Sequence, residues 1–259
     1  GAQNNTFLDS STNNFAITSY GNTTQGTFSP YGSNWSNYTT GVSGTTNKID
    51  VSSPTIGGSG VSYTMEGWFY FTAATGADNQ NIFCTGNNVY PNRWIIDAQI
   101  TSTFVRLRLV TESNSILFNG SQVSIGLNTW VHLAAVNNNS ANTFTFYING
   151  TAAGSRAAVS LTSISAYQLF CNSSSFSGTL PFYVNNFRIV NGTAVYTSNF
   201  TPSTAPLTAI SGTTLLTFQS NRFKDDSGSG TTLVLNGSHA IQRFSPFSPD
   251  SAYSAGTIG

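Results

Sequence analysis

The sequence predicts an all-β protein folded as a two-sheet sandwich or jelly roll, and three observations carry that prediction. Its polar residues are mostly Ser, Thr, Asn and Gly, which favour strands and turns and interrupt helices. Its apolar residues recur with period two in short runs divided by turn residues, the pattern of strands with one buried face. Of 259 residues 39% are apolar and 19 are Phe, enough to fill a sizeable core. Nowhere do they join into the roughly 18 consecutive positions that a bilayer crossing needs, so membrane insertion is not expected.

Taken in chain order, Phe15-Ala16-Ile17-Thr18 reads as a strand and Tyr20-Gly21-Asn22 as a Gly-centred turn. The central body runs from about residue 45 to residue 220. There, Met65, Phe69 and Phe71 share one face of a strand, and Glu66, Trp68 and Tyr70 share the other. Val105, Leu107 and Leu109 face away from Arg106 and Arg108; Phe144, Phe146 and Ile148 line one side of a strand closed by the tight-turn pair Asn149-Gly150. Similar segments occur at 79–85, 93–100, 115–118, 128–136, 166–171, 179–190 and 213–219. About ten strands with turns between them describe two packed antiparallel sheets and not a parallel α/β fold.

The chain also repeats itself. Asn5-Thr6-Phe7-Leu8-Asp9-Ser10-Ser11 recurs as Asn221-Arg222-Phe223-Lys224-Asp225-Asp226-Ser227, an offset of 216 that carries Phe7 onto Phe223 and Asp9 onto Asp225. The same offset, without a gap, places Ile17 on Leu233, Gly21 on Gly237 and Phe28-Ser29-Pro30-Tyr31 on Phe244-Ser245-Pro246-Phe247. Each copy reads as a small hairpin: a strand (Thr232-Leu233-Val234-Leu235 in the second), a turn (Asn236-Gly237-Ser238), then a strand that ends at Phe-Ser-Pro. Pro30 and Pro246 cannot donate to a sheet ladder and close the element. Asp9 and Asp225 precede small polar residues and read as aspartate-initiated turns. The predicted organisation is a connector at 1–44, a jelly roll at 45–220 and a second connector at 221–259. Phe7, Asp9, Phe28, Pro30, Phe223, Asp225, Phe244 and Pro246 are the candidate assembly residues, and a homo-oligomer or repeat array is the expected partner state.

Only 9 basic and 9 acidic residues are present, 7% of the chain, with a net charge of zero. A typical soluble chain has about 25%. With no basic run, the electrostatic footprint that nucleic acid requires is missing, so nucleic acid is not an expected partner. Near-zero net charge instead favours association. The two cysteines, Cys84 and Cys171, sit in apolar strand-like runs; free buried thiols are the expectation and a single disulfide is the alternative. Residues 1–5 carry neither a charged nor an apolar run, so no signal peptide is visible there.

The segments Thr64-Met65-Glu66-Gly67-Trp68-Phe69-Tyr70-Phe71, Ile82-Phe83-Cys84-Thr85-Gly86, Asn128-Thr129-Trp130-Val131-His132-Leu133-Ala134-Ala135-Val136 and Thr143-Phe144-Thr145-Phe146-Tyr147-Ile148-Asn149-Gly150 occur in that order. With Asn185-Asn186-Phe187-Arg188-Ile189-Val190-Asn191-Gly192 and Tyr196-Thr197-Ser198-Asn199-Phe200-Thr201-Pro202, they resemble the laminin-G-like branch of the concanavalin A-like jelly rolls. The segment from Ser211 through Phe223, running into Phe244-Ser245-Pro246-Phe247, is similar to laminin-G-like virion proteins of marine tailed phages, notably those of cyanobacteria. That resemblance implies a non-enzymatic structural component of a virion or extracellular appendage, displaying its sandwich for host glycans. The alternative is a lectin module of a bacterial surface protein.

Some relatives of this fold are glycoside hydrolases, which need two carboxylates at a set separation. The chain has only two glutamates, Glu66 and Glu112; neither sits in a Glu-x-Asp-x-x-Glu strand motif, and Glu66 is expected to pair with His132 or an arginine. A Ser-His-Asp arrangement needs a positioned histidine base, and His132 and His239 stand in or beside strands with no nucleophile elbow. No catalytic residue is therefore assigned, and no cofactor is expected beyond calcium. Relatives often hold calcium on a rim loop, and Asp78, with Asp97, is the carboxylate candidate here. For a sugar, Tyr90, Asn92, Arg93 and Trp94 combine aromatic faces and planar polar groups in one apparent loop.

Overall fold

The computed structural model describes residues 35–39, 47–74, 80–85, 94–111, 115–161, 163–170 and 180–247. The chain divides into a unit of residues 1–32 and a unit of residues 33–259, and every described residue belongs to the second. The candidate residues Phe7, Asp9, Phe28, Pro30, Asp78, Tyr90, Asn92 and Arg93 lie outside the described residues, as do Glu112 and Cys171.

Two antiparallel sheets face each other, and among the described residues there is no helix. The first sheet contains β1 (Ser36–Thr39), β3 (Tyr63–Phe71), β8 (Trp130–Asn138), β9 (Thr143–Ile148), β10 (Thr151–Arg156), β12 (Phe182–Asn191), β13 (Thr213–Thr217) and β15 (His239–Gln242). Its order is β10-β9-β8-β3-β12-β1-β15, with β13 also paired to β12. The second contains β2 (Lys48–Ile56), β4 (Gln80–Thr85), β5 (Trp94–Ile100), β6 (Val105–Thr111), β7 (Ile116–Asn119), β11 (Ile164–Leu169) and β14 (Thr232–Asn236). Its order is β14-β2-β11-β4-β5-β6-β7.

The period-two pattern sorts the side chains as the sequence predicts. Met65, Phe69, Phe71, Leu107, Leu109, Phe144, Phe146 and Ile148 all enter one core between the sheets. Phe69 meets Phe170, Phe182 and Phe187 with ring centroids 6.2–6.4 Å apart, separations at which edge-to-face and tilted aromatic pairs are favourable. One edge of β12 serves two strands, β1 at residues 182–184 and β13 at residues 187–190. The changeover falls at Asn185-Asn186, where Asn186 takes φ 54°. There Asn185 Nδ2 donates to the Phe218 carbonyl at 3.1 Å, and Asn186 Oδ1 accepts the Leu207 amide at 2.7 Å. The two side-chain amides at the kink thus tie the changeover to the backbone at Phe218 and Leu207.

The C-terminal segment corrects the hairpin expectation. β14 pairs with β2 and β15 with β1, so the two strands on either side of Asn236-Gly237-Ser238 belong to different sheets instead of pairing with one another. The turn crosses the edge of the sandwich. Gly237 has φ +84°, and a Cβ there would come within 2.0 Å of Asn47 Oδ1, the atom that accepts the Ser238 amide at 2.8 Å. Asn47 therefore fixes the crossing and leaves room only for glycine. β14 and β15 thus extend both sheets of the jelly roll. Phe223 packs on the main core.

Asp225 is the anchor of the same segment. Its Oδ1 accepts the amides of Leu216 and Ser227 at 3.0 and 2.9 Å. Its Oδ2 accepts the Ser227 and Ser229 hydroxyls at 2.6 and 3.2 Å. The cysteine expectation also changes: Cys84, fully buried, is disulfide-bonded and not a free thiol.

At the outer edge, His239 Nδ1 lies 3.3 Å from Thr39 Oγ1. Burial pushes its imidazole below the ordinary 6.5. A histidine whose charged form is disfavoured in the fold stabilises fully above its ordinary value and loses that contribution as pH falls towards the folded value. The thermal unfolding midpoint should accordingly fall as pH drops below 6.5, and His239→Gln should flatten that slope.

Candidate functional site

The outer face of the first sheet is built in rows. Register places Tyr38 beside Tyr183, Tyr183 beside Tyr70, and Tyr70 beside Trp130. Phe244 caps this row, its ring centroid 4.8 Å from Tyr70, 4.9 Å from Tyr183 and 5.1 Å from Trp130. In the next row Trp68 stands beside His132, with Phe247 at 6.0 Å from the Trp68 ring. Of these, Trp68 and Tyr70 are the residues that period two assigns to the face opposite the core.

The third row holds Glu66 beside Arg188. Glu66 is 1% exposed. Its Oε1 accepts Arg188 Nε at 2.9 Å, and its Oε2 accepts the Tyr196 hydroxyl at 2.7 Å. His132 Nε2 lies 3.1 Å from the same Oε2; an ionised carboxylate only accepts, so Nε2 carries the proton in this bond. Burial by itself pushes the Glu66 carboxyl up. The His132 hydrogen bond, the Arg188 and His132 charges and the Tyr196 hydroxyl outweigh it and hold the group below its usual range. Residues 192–212 lie over this row, with Tyr196 and Phe200 stacked at 3.5 Å between centroids. Gly150 receives the Phe200 amide at 2.9 Å, and a Cβ there would overlap the Phe200 carbonyl. The pairing of Glu66 with His132 and an arginine agrees with the sequence reading, and it closes the carboxylate off from solvent.

Between residues 202–204 and the C-terminal Pro246-Phe247 lies a groove of about 350 Å³, lined by Trp68, Trp130, Asn149, Pro202, Ser203, Thr204, Pro246 and Phe247. Its floor is two half-buried indoles. Neither indole Nε1–H has a hydrogen-bond partner, although buried tryptophan N–H groups usually find one. Asn149 Oδ1 accepts the His132 amide at 2.9 Å and fixes that side chain at the groove's end. Aromatic faces, an amide and two hydroxyls, with no charge, suit a neutral polyhydroxylated ligand better than an ion.

Of the ligand residues expected from the sequence, Trp94 and Asp97 are among the described residues. Trp94 opens β5. Asp97 is fully buried in β5, where both carboxylate oxygens accept from Arg108, at 2.8 and 2.7 Å. Burial raises its carboxyl, and Arg108 offsets part of that rise. The lone pairs offered to calcium thus already face a cation of the chain itself. Among the described residues no three His, Cys, Asp or Glu side chains cluster as a metal site. Sequence reading did not assemble the groove, because its walls come from five separate stretches of chain. The signals available were Trp68 on the strand face opposite the core and the recurring Phe-Ser-Pro-aromatic motif.

Among solved structures, the chain is similar to a heptameric pentraxin of the SAP type from Limulus polyphemus, at 11% identity and TM-score 0.57, covering 82% of this chain and 96% of that one. It is also similar to a Bacteroides ovatus protein thought to bind carbohydrate, at 12% identity and TM-score 0.47, covering 77% of this chain and 60% of that one. No curated protein matches the sequence. Residues 43–195 match the laminin-G type of the concanavalin A-like lectin/glucanases superfamily, more than half the chain, and the two-sheet jelly roll agrees with it: the chain belongs to that family.

Proposed function

We propose that this chain is a non-catalytic recognition domain that binds glycans on an extracellular or virion-borne assembly, with the Trp68–Trp130 groove as the sugar platform. The observation that carries the reading is the pair of half-buried indole rings on the floor of an uncharged groove with amide and hydroxyl walls. Pyranose rings offer C–H faces to stack on aromatic rings and hydroxyls that bond with amide and hydroxyl groups such as those of Asn149, Ser203 and Thr204. The family supports the ligand class. Commitment of the Glu66 carboxylate to Arg188, His132 and Tyr196 supports binding over hydrolysis, since glycosidases need a second, free carboxyl. A disulfide at Cys84 fits an oxidising compartment outside the cytosol. The virion setting rests on the resemblance of the sequence.

An immobilised-glycan panel tests the reading. Wild-type chain should retain at least one glycan class at micromolar affinity, and Trp130→Ala should weaken it about tenfold, because a stacked aromatic contributes about 0.5–1.5 kcal/mol beyond its buried area and truncation also loses that area. The groove lining contains no carboxylate, so binding should persist in a calcium chelator. Loss on chelation, with Trp130→Ala silent and Asp78→Asn or Tyr90→Ala disruptive, would move the site to the loops proposed from sequence, where Asn92 and Arg93 also lie.

A further inference from the structure

The turn that leads into β14 gathers more oxygen atoms than its hydrogens can serve. Asp225, Ser227, Ser229 and Thr231 stand at every second position of Asp225-Asp226-Ser227-Gly228-Ser229-Gly230-Thr231, and their side chains meet. Ser227 Oγ lies 2.6 Å from Asp225 Oδ2 and 2.7 Å from Ser229 Oγ. Ser229 Oγ lies 3.2 Å from Asp225 Oδ2, 2.9 Å from Thr231 Oγ1 and 2.8 Å from the Thr214 carbonyl oxygen. Thr231 Oγ1 lies 2.5 Å from the same carbonyl. An ionised carboxylate and a carbonyl bring no hydrogen, and each hydroxyl brings one. Three hydrogens are therefore shared among six close oxygen pairs. With Ser227 and Ser229 donating to Asp225 and Thr231 donating to Thr214, Ser229 Oγ faces the Ser227 and Thr231 oxygens and the Thr214 carbonyl with no hydrogen between. Any other assignment moves the bare pairs without reducing their number.

Oxygens held this close without hydrogens repel, and a positive ion set against them turns the repulsion into attraction. We propose that this turn binds a hard cation of calcium's size, with Asp225 Oδ2, the Ser227, Ser229 and Thr231 hydroxyls and the Thr214 carbonyl as its protein ligands and water completing the shell. Around an ion that takes six to eight oxygens at about 2.3–2.6 Å, neighbouring ligands lie about 2.7–3.4 Å apart. The pairs that Ser229 makes, at 2.7–3.2 Å, match that spacing. Magnesium, which needs a tighter octahedron and gives up its own water reluctantly, fits less well. Gly228 and Gly230 have nothing within 4 Å of where a Cβ would stand, which leaves the ion and its waters a way in. Asp226 is paired with Lys224, so Asp225 is the site's one carboxylate. A single carboxylate among neutral oxygens sets the affinity for calcium at the weak end, about 10⁻⁴–10⁻³ M, and admits sodium as an ion of the same chemistry. Thr214 belongs to β13 in the first sheet and Thr231 precedes β14 in the second, so the ion fastens one layer to the other. None of these residues lines the groove, so the site goes beyond the glycan reading and does not depend on it.

Thermal unfolding of the full-length chain, stripped with a chelator and exchanged into choline chloride, tests the site. Calcium chloride at about 10 mM should raise the midpoint by about 3–5 °C over choline at equal ionic strength, the shift expected of a millimolar site in a domain of this size. Magnesium should give less than half of that rise. A rise with sodium in place of calcium also supports the site and makes its ion monovalent. Ser229→Ala locates it: without the crowded oxygen the midpoint in choline should equal or exceed that of the wild type, and the ion-dependent rise should disappear. Thr231→Val should reduce the rise, and it keeps the test standing if the first variant does not fold. Hydrogen exchange at residues 232–236 should slow at least about fivefold on addition of the ion to the wild type and stay unchanged in Ser229→Ala. A midpoint indifferent to calcium, magnesium and sodium overturns the proposal, as does a rise that persists in both variants. A Ser229→Ala variant weakened in choline as much as in calcium also overturns it, in favour of a serine that only donates a hydrogen bond. Glycan binding, read in parallel, should be the same in Ser229→Ala as in the wild type.

Discussion

Arg188→Leu is expected to lower the free energy of unfolding by about 3–5 kcal/mol, because it leaves the buried Glu66 carboxylate without the guanidinium whose two donors meet Oε1. Most single domains have about 5–15 kcal/mol in total, so the variant should sit near the edge of folding at 37 °C. The pH dependence identifies the cause. In the wild-type chain Glu66 is held below its ordinary 4.5. Its contribution is therefore complete above that value and is lost as pH falls through the folded value. In the variant burial still pushes the carboxyl up while one of the groups that lowers it is gone. The folded variant therefore takes up a proton at a higher pH than the folded wild type, so the deficit should shrink as pH falls from 7 towards 4.5. Chemical denaturation at pH 7 and pH 5 measures both. A deficit equal at the two pH values would mean that lost packing of the arginine stem, and not the stranded charge, is responsible.

Asp225→Ala should cost about 2–3 kcal/mol, the sum expected when one carboxylate that satisfies several donors is removed and the amides of Leu216 and Ser227 are left to find water. The loss should be local before it is global. β14 and β15 are edge strands that depend on this anchor, whereas β3, β8 and β12 lie inside the sheet. Hydrogen exchange should quicken at residues 232–242 by ten- to a hundredfold while β3 and β8 remain protected at low denaturant. Asp225→Asn, which keeps an acceptor oxygen, should recover part of the loss. Uniform acceleration along the whole chain would show that the C-terminal segment unfolds only with the sandwich.

Alternation made the layers legible. Met65, Phe69 and Phe71 against Glu66, Trp68 and Tyr70, or Leu107 and Leu109 against the two arginines, are assigned to the correct faces from spacing alone, because a strand has only two faces and one is dry. Partners were less legible. The Asn236-Gly237-Ser238 turn looks like a hairpin locally, and only the Asn47 amide oxygen, nearly two hundred positions upstream, directs its second arm to the other sheet. Asp97 illustrates the same limit. Its composition suits calcium, and what decides its role is Arg108 in the neighbouring strand, a fact of register. The groove is assembled from residues 68, 130, 149, 202–204 and 246–247, which no local window unites.

The passage of the chain from one sheet to the other at Gly237 has a mechanical meaning. Tension applied beyond Phe247 meets the attachments one after another: the Phe247 ring on Trp68, the Phe244 ring on its row, the β15 ladder and then, past the turn, the β14 ladder on the opposite layer. The end of the domain thus yields like a zip with several catches. Each catch that slips lengthens the tether while the sandwich of β3, β8 and β12 stays intact, so a pull on this segment is absorbed in steps before it reaches the core.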